Sequence, residues 1–180
     1  FRWVRFFRHG CRLRDGGHVV KWRAVIGLLL SENEPIMAAM STKKERMRLF
    51  AETFTDCGEW DPRYWGYFRT FNEGRFYESH DVLEDLWLEC RGKSLGNFYK
   101  SLIQLAGIFV HIEKRRHRPA LALLDICQGY LSAYGKSCEG LDLSNIHEII
   151  NLWRKRIPNA SQPEQSLLNH HERPILQMPV

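Results

Sequence analysis

Two long helical patterns joined by a seven-residue connector dominate residues 71 to 111: FNEGRFYESHDVLEDLWLEC, then RGKSLGN, then FYKSLIQLAGIFVH. At about 100° per residue, Phe76, Ser79, Leu83, Leu86, Trp87 and Cys90 form one apolar face of a helix over roughly 73–91. Glu78, Asp81, Asp85 and Glu89 fall on the opposite side, which reads as the solvated face of an amphipathic helix. His80 and Glu84, four apart and so one turn above each other, belong to neither face and lie on the shoulder near Tyr77 and Arg91. The second pattern, roughly 97–116, carries Phe98, Leu102, Leu105, Phe109 and Ile112, with Ile103, Ala106 and Val110 extending the apolar surface around the cylinder. A helix this apolar belongs at the centre of a bundle. Its narrow polar stripe is Lys100, Gln104, Gly107, His111 and Arg115. If that stripe faces the His80/Glu84 shoulder, two imidazoles, a carboxylate and an amide share one groove.

The motif Phe71-Asn72-x-Gly74-x-Phe76-Tyr77-Glu78-x-His80-Asp81-Val82-Leu83-Glu84-x-Leu86-Trp87 resembles a bacterial family known as a domain of unknown function, number three-zero-nine. The later Phe98-Tyr99-Lys100-x-Leu102-Ile103-Gln104-Leu105-Ala106 with His111 is similar to its second block, and Arg118-Pro119-Ala120 before a Leu-rich helix looks like its third. The resemblance runs over residues 45–157 and implies a compact all-helical bundle of antiparallel helix pairs, with no activity, substrate or cofactor attached. Carried over by position, its polar residues are Asn72, Glu78, His80, Asp81, Glu84, Gln104 and His111. The chain departs from the pattern at Ser101, where the family often has Gly, and in the basic run before Pro119.

Elsewhere the sequence adds organisation. Residues 1–40 are an Arg- and aromatic-rich leader, expected to be disordered or foreign to the native protein, with translation starting at Met37 or Met40 as one explanation and targeting as another. Its apolar run, Ala24 to Leu30, is too short to span a membrane. A helical domain is expected over 41–157 and an extended or disordered tail over 158–180. Within the domain, Thr42-x-x-Glu45 matches a capping box and opens a helix reaching about Thr55. Gly58 and Pro62 bracket a loop, and Trp60 to Phe68 packs five aromatics into nine residues. That cluster reads as packing beneath the next helix in preference to a base-stacking platform. Asn72 is the expected cap of the motif helix. Pro119 suits the first turn of a further helix, which Gly135 closes. Asp142 or Ser144 caps a last helix with the stripe Ile146, Ile149, Ile150, Trp153, Ile157. The expected fold is all-α, a compact bundle of about five helices in antiparallel helix pairs.

Charge bears on partners. Residues 1–40 hold seven Lys/Arg against three Asp/Glu, and residues 41–180 hold nineteen against eighteen, so the net charge of +5 comes almost wholly from the leader. A near-neutral domain gives no electrostatic case for nucleic acid. The run Lys114 to Arg118 reads first as complement to a helix dipole, with a phosphate contact as the alternative. Five cysteines (11, 57, 90, 127, 138) with no C-x-x-C pair suit thiols in a reducing, cytoplasmic compartment.

Two functional readings remain side by side. In one, His80, Glu84 and His111 are catalytic or ligate a divalent metal, or Glu84 orients His80 as a general base, while Glu78, Asp81, Gln104 and Asn72 bind ligand. In the other, the chain is a non-catalytic helical module for an unidentified protein or small molecule, and the same polar residues satisfy a buried groove. A di-iron carboxylate bundle is disfavoured, since it requires Glu-x-x-His on two helices. Whether the chain is an enzyme, and its oligomeric state, are left open.

Overall fold

A computed structural model describes residues 43–157, 167–168 and 173–180. The leader, Thr42 of the capping box and much of 158–172 lie outside the described residues. Six helices are described: α1 (Lys43–Glu52), α2 (Pro62–Asn72), α3 (Phe76–Cys90), α4 (Gly96–Glu113), α5 (His117–Leu131) and α6 (Leu143–Arg156). A two-residue strand pair, β1 (Ser137–Cys138) and β2 (Leu141–Asp142), precedes α6. The chain is all-helical in class, with consecutive helices packed as antiparallel pairs.

The aromatic stretch expected partly as loop is a helix of its own. Asp61 accepts the Arg63 amide at 2.8 Å and Pro62 occupies the first turn, a strong start signal. Tyr64, Tyr67, Phe68 and Phe71 then face inward, fully buried. The Phe54 ring lies against Gly66, where a Cβ would come within 2.5 Å of it. Asn72 ends α2 and does not cap α3. Three residues with Gly74 at φ +78° make the turn, and Arg75 precedes Phe76.

α4 is the central helix: all but four of its 18 residues are buried. Its Phe109 touches Phe71 of α2, stacks on Phe76 of α3 at 5.0 Å between ring centres, and meets Trp153 of α6 edge-on at 5.2 Å. Tyr67 donates to the Leu102 carbonyl at 2.7 Å, so the buried hydroxyl is satisfied. Ser101 does not hold α5 away: its hydroxyl folds back onto the Phe98 carbonyl, and its own carbonyl accepts from the Cys127 thiol. α5 ends before Gly135. The Tyr134 hydroxyl accepts the Phe98 amide and donates to the Ser94 carbonyl, drawing the chain out of the helix. Glu139 and Gly140, both at positive φ, form the tight turn between β1 and β2. Asp142 caps α6 by accepting from Ser144, and Ile146, Ile149, Ile150 and Trp153 form its buried stripe.

Phe109→Ala removes the ring shared by four helices. Equilibrium denaturation should show a loss of about 3–5 kcal/mol, against less than about 0.5 kcal/mol for the exposed Leu152→Ala.

Candidate functional site

Hydrophobic burial of Phe76, Leu83 and Leu86 orients α3, and this orientation does not leave its acidic side in water. Asp81 is 6% exposed and Asp85 9%. α1 and the start of α2 lie against that side and bring one cation to each. The Lys43 ammonium is 2.8 Å from Asp81 Oδ1 and 3.6 Å from Glu84 Oε2. Arg63 binds Asp85 at 3.1 Å, Glu89 through both terminal nitrogens, and Asp61 at 2.8 Å. The expectation of a solvated face fails for a physical reason: buried carboxylates must be paired, and their partners lie 38 and 22 residues away in sequence.

The electrostatics follow. Burial works against the charge on Lys43, but the hydrogen bond and charge of Asp81, with Glu84 behind it, prevail and raise its pKa. Hydrogen bonds to Asp61 and Glu89 raise that of Arg63. Burial raises the Tyr77 phenol, and the nearby Asp81 charge adds to the effect. The Tyr77 ring is half-exposed and has the ammonium groups of Lys43 and Lys114 at 5.9 and 5.8 Å.

The sequence-derived candidates distribute as follows. His80 and Glu84 come together with Asp81: one donor atom from each lies within 4.8 Å of the others. The carboxylate on the His80 ring is Asp81, with Oδ1 at 3.0 Å from Nδ1. Lys100, on the polar stripe of α4, reaches the Trp87 ring of α3 and the Tyr130 ring of α5. With Phe76 stacked on Phe109, this antiparallel register puts half-buried Gln104 level with the His80–Glu84 turn. His111 falls about one turn beyond it and is not part of the three-residue cluster. It is 2% exposed, and burial, helped by the charges of Arg116 and Lys114, lowers its pKa to about 4. Glu78 lies 3.7 Å from Arg75. Asn72 is remote from the cluster in role: its amide holds the backbone of Leu176.

Sequence reading missed Lys43 and Arg63. No periodicity points to either, because each acts across a tertiary contact. The Asp-Pro-Arg start of α2 was the available signal, since an Asp cap holding its own Arg side chain presents that arginine to the next helix.

Fold and site together define a small bundle of helical hairpins with an imidazole–carboxylate cluster on the edge of its central pair. Residues 64–123, from α2 to the first half of α5, match the family model described as "Domain of unknown function (DUF309)". The match is narrower than the 45–157 over which the resemblance was read. Neither the curated proteins nor the solved structures give a match. Among the described residues no helix is long and apolar enough to cross a membrane.

The buried imidazole makes a pH prediction. A folded-state pKa below the ordinary 6.5 means that the unfolded chain takes up a proton which the native ring refuses. Stability is therefore fully present above pH 6.5 and falls as pH drops towards 4. In urea titrations between pH 6.5 and 5, His111→Gln should flatten this slope; a variant that keeps the wild-type slope would show that the ring does not cause it.

Proposed function

We propose that this helical protein binds a divalent cation at His80, Asp81 and Glu84, with Lys43 as the resident positive charge that the metal displaces. The observation carrying this reading is the convergence of one imidazole nitrogen and two carboxylate oxygens within 4.8 Å on one turn of α3. An ion would draw these donors to on the order of 3 Å apart, as metal–ligand bonds near 2 Å require. Three protein ligands leave coordination positions for water or a small molecule. A mixed nitrogen and oxygen set suits zinc, manganese or iron(II). His80 and Glu84 are 17% and 29% exposed, so the site has access to solvent. Gln104 of the neighbouring α4 would hydrogen-bond a small ligand held there. His111 supports the site from the α4 side as a neutral group, one turn away. The four described cysteines carry free thiols, which favours the reducing cytoplasm expected from the sequence.

The second reading, a non-catalytic interaction module with structural polar residues, also has an observation behind it. Lys43 already neutralises Asp81 at 2.8 Å, so the cluster suffices to dock α1 on α3.

Calorimetric titration of zinc and manganese into the full chain separates the two. Lys43→Ala should bind metal at least tenfold more tightly than wild type, because the competing ammonium is gone. Asp81→Asn should lose binding while keeping its helical circular dichroism. If wild type and Lys43→Ala both fail to bind metal and Lys43→Ala only lowers the melting temperature, the docking reading stands and the metal reading is discarded.

A further inference from the structure

The nineteen Lys/Arg against eighteen Asp/Glu of residues 41–180 are an average over unevenly placed charges. Arg63, Arg69, Arg75 and Arg154 each pair with a carboxylate. At the corner between α4 and α5 this pairing stops. Among the described residues Arg115, Arg116 and Arg118 form no ion pair. Lys114, Arg115 and Arg118 are exposed there and Arg116 is half-buried. Glu113, which precedes the run, lies in the field of Arg173 as well as of Lys114.

Positive charge at the end of α4 complements its dipole, which accounts for Lys114 and Arg115. It does not account for the rest. Arg116 and Arg118 stand at the start of α5, whose first turn holds no acid and no side-chain cap, and that end of a helix repels cations. Arg115 also occupies a position that suits glycine. Its φ is +55°, and the Arg116 amide closes α4 on the His111 carbonyl at 2.8 Å. Helix stability alone would favour glycine at 115 and an Asp or Ser cap at 116. The run therefore works against folding at both places, and a docked anion answers the repulsion.

Tyr77 indicates which anion. Its ring, 44% exposed in the first turn of α3, has the Lys114 ammonium at 5.8 Å and the Lys43 ammonium at 5.9 Å from its centre. Single strands of nucleic acid are held by this combination: bases stack on an open aromatic face, and phosphates follow the adjoining positive charge. The planar fork of arginine also matches phosphate oxygens. An anionic lipid headgroup or a run of acidic side chains offers the ring no base to stack. We propose that Tyr77, Lys114, Arg115, Arg116 and Arg118 form a binding surface for a single strand of nucleic acid. The surface is independent of the cation site. The near-neutral charge of the domain does not oppose it, because that balance is struck by ions paired elsewhere.

Fluorescence anisotropy of the full chain in chelating buffer tests the surface, with labelled oligothymidylate and oligouridylate of about twelve nucleotides. Wild type should bind a strand with an affinity that falls steeply as salt rises, and the tighter of the two identifies the sugar. Arg115→Gln/Arg116→Gln/Arg118→Gln should weaken binding at least tenfold. It should also flatten the slope of log affinity against log salt by about two, at about 0.7 per phosphate contact. Tyr77→Leu should weaken strand binding at least fivefold and leave the affinity for inorganic polyphosphate of equal charge unchanged. Arg115→Gly separates binding from stability: strand affinity should fall while the melting temperature rises, since glycine takes the left-handed backbone without steric cost. A fall in both makes the arginine structural and overturns the proposal. The leader carries positive charge of its own, so Arg2→Gln/Arg5→Gln/Arg8→Gln should change the affinity less than twofold. A loss confined to that variant assigns the strand to the leader and overturns the proposal. So does tighter binding to phosphatidylserine vesicles than to either strand, or a wild type that binds neither strand at low salt.

Discussion

The packing of Phe109 against Phe71, Phe76 and Trp153 is the constraint from which the rest of the structure follows. These rings come from α2, α3, α4 and α6, so one aromatic cluster sets where four helices cross. Aromatic pairs favour edge-on or offset geometry, which limits how far any of the four can slide. The Phe76–Phe109 stack also sets the register of α3 on α4. A slip by one turn would take Gln104 away from the His80–Glu84 level and Lys100 away from the Trp87 ring. The placement of these polar residues is thus a consequence of hydrophobic packing, since they lie on the edge of helices that the core has already placed.

Charge then closes the side of the bundle that the core leaves open. The cleft of about 380 Å³ between α1, the start of α2 and α3 is lined by Arg48, Arg63 and the carboxylates Glu52, Asp61, Asp85 and Glu89. Arg63 spans the Asp61 side and the Glu89 side, and Lys43 does the corresponding work on Asp81 and Glu84. Each pair near the surface is worth little by itself. Their importance is positional: buried Asp81 and Asp85 without partners would carry an uncompensated desolvation cost, so α1 must lie where Lys43 can reach. The His80–Asp81–Glu84 cluster is consequently held in place by the ion pair that docks α1.

How much of this was legible depends on the range of the interaction. The 3.6-residue period placed α3, α4 and α6 within a few residues, because their apolar stripes face one core and burial dominates. The aromatic run in α2 defeated the period: inward and outward faces both carry rings, and Pro62 reads as a loop marker before it reads as a first-turn residue. Asp81 and Asp85 looked solvated because helical spacing separates faces but cannot say what covers them. Only Lys43 and Arg63 decide that, and nothing local identifies them. His80 and Glu84 on one turn were legible from their spacing, whereas Asp81 as the partner of the His80 ring was not, since neighbours along a helix point about 100° apart.

The Asn72-x-Gly74 start of the motif shows the same limit at its most extreme. Asn before a helical pattern is a sound cap signal, and the same amide satisfies a cap and an extended backbone equally well in chemical terms. Geometry selects between them. The left-handed Gly74 turns the chain before α3 begins, so the Asn72 amide points away from the α3 amides and onto the Leu176 backbone. α3 does without a side-chain cap, and its first turn is served instead by the charge of Glu78. One short block therefore carries two separate tasks. Asn72 holds the backbone of Leu176, about a hundred positions away, and the turn from His80 to Glu84 brings three polar side chains together. Separating them is the positive-φ glycine, which lets a single α2–α3 corner face both ways.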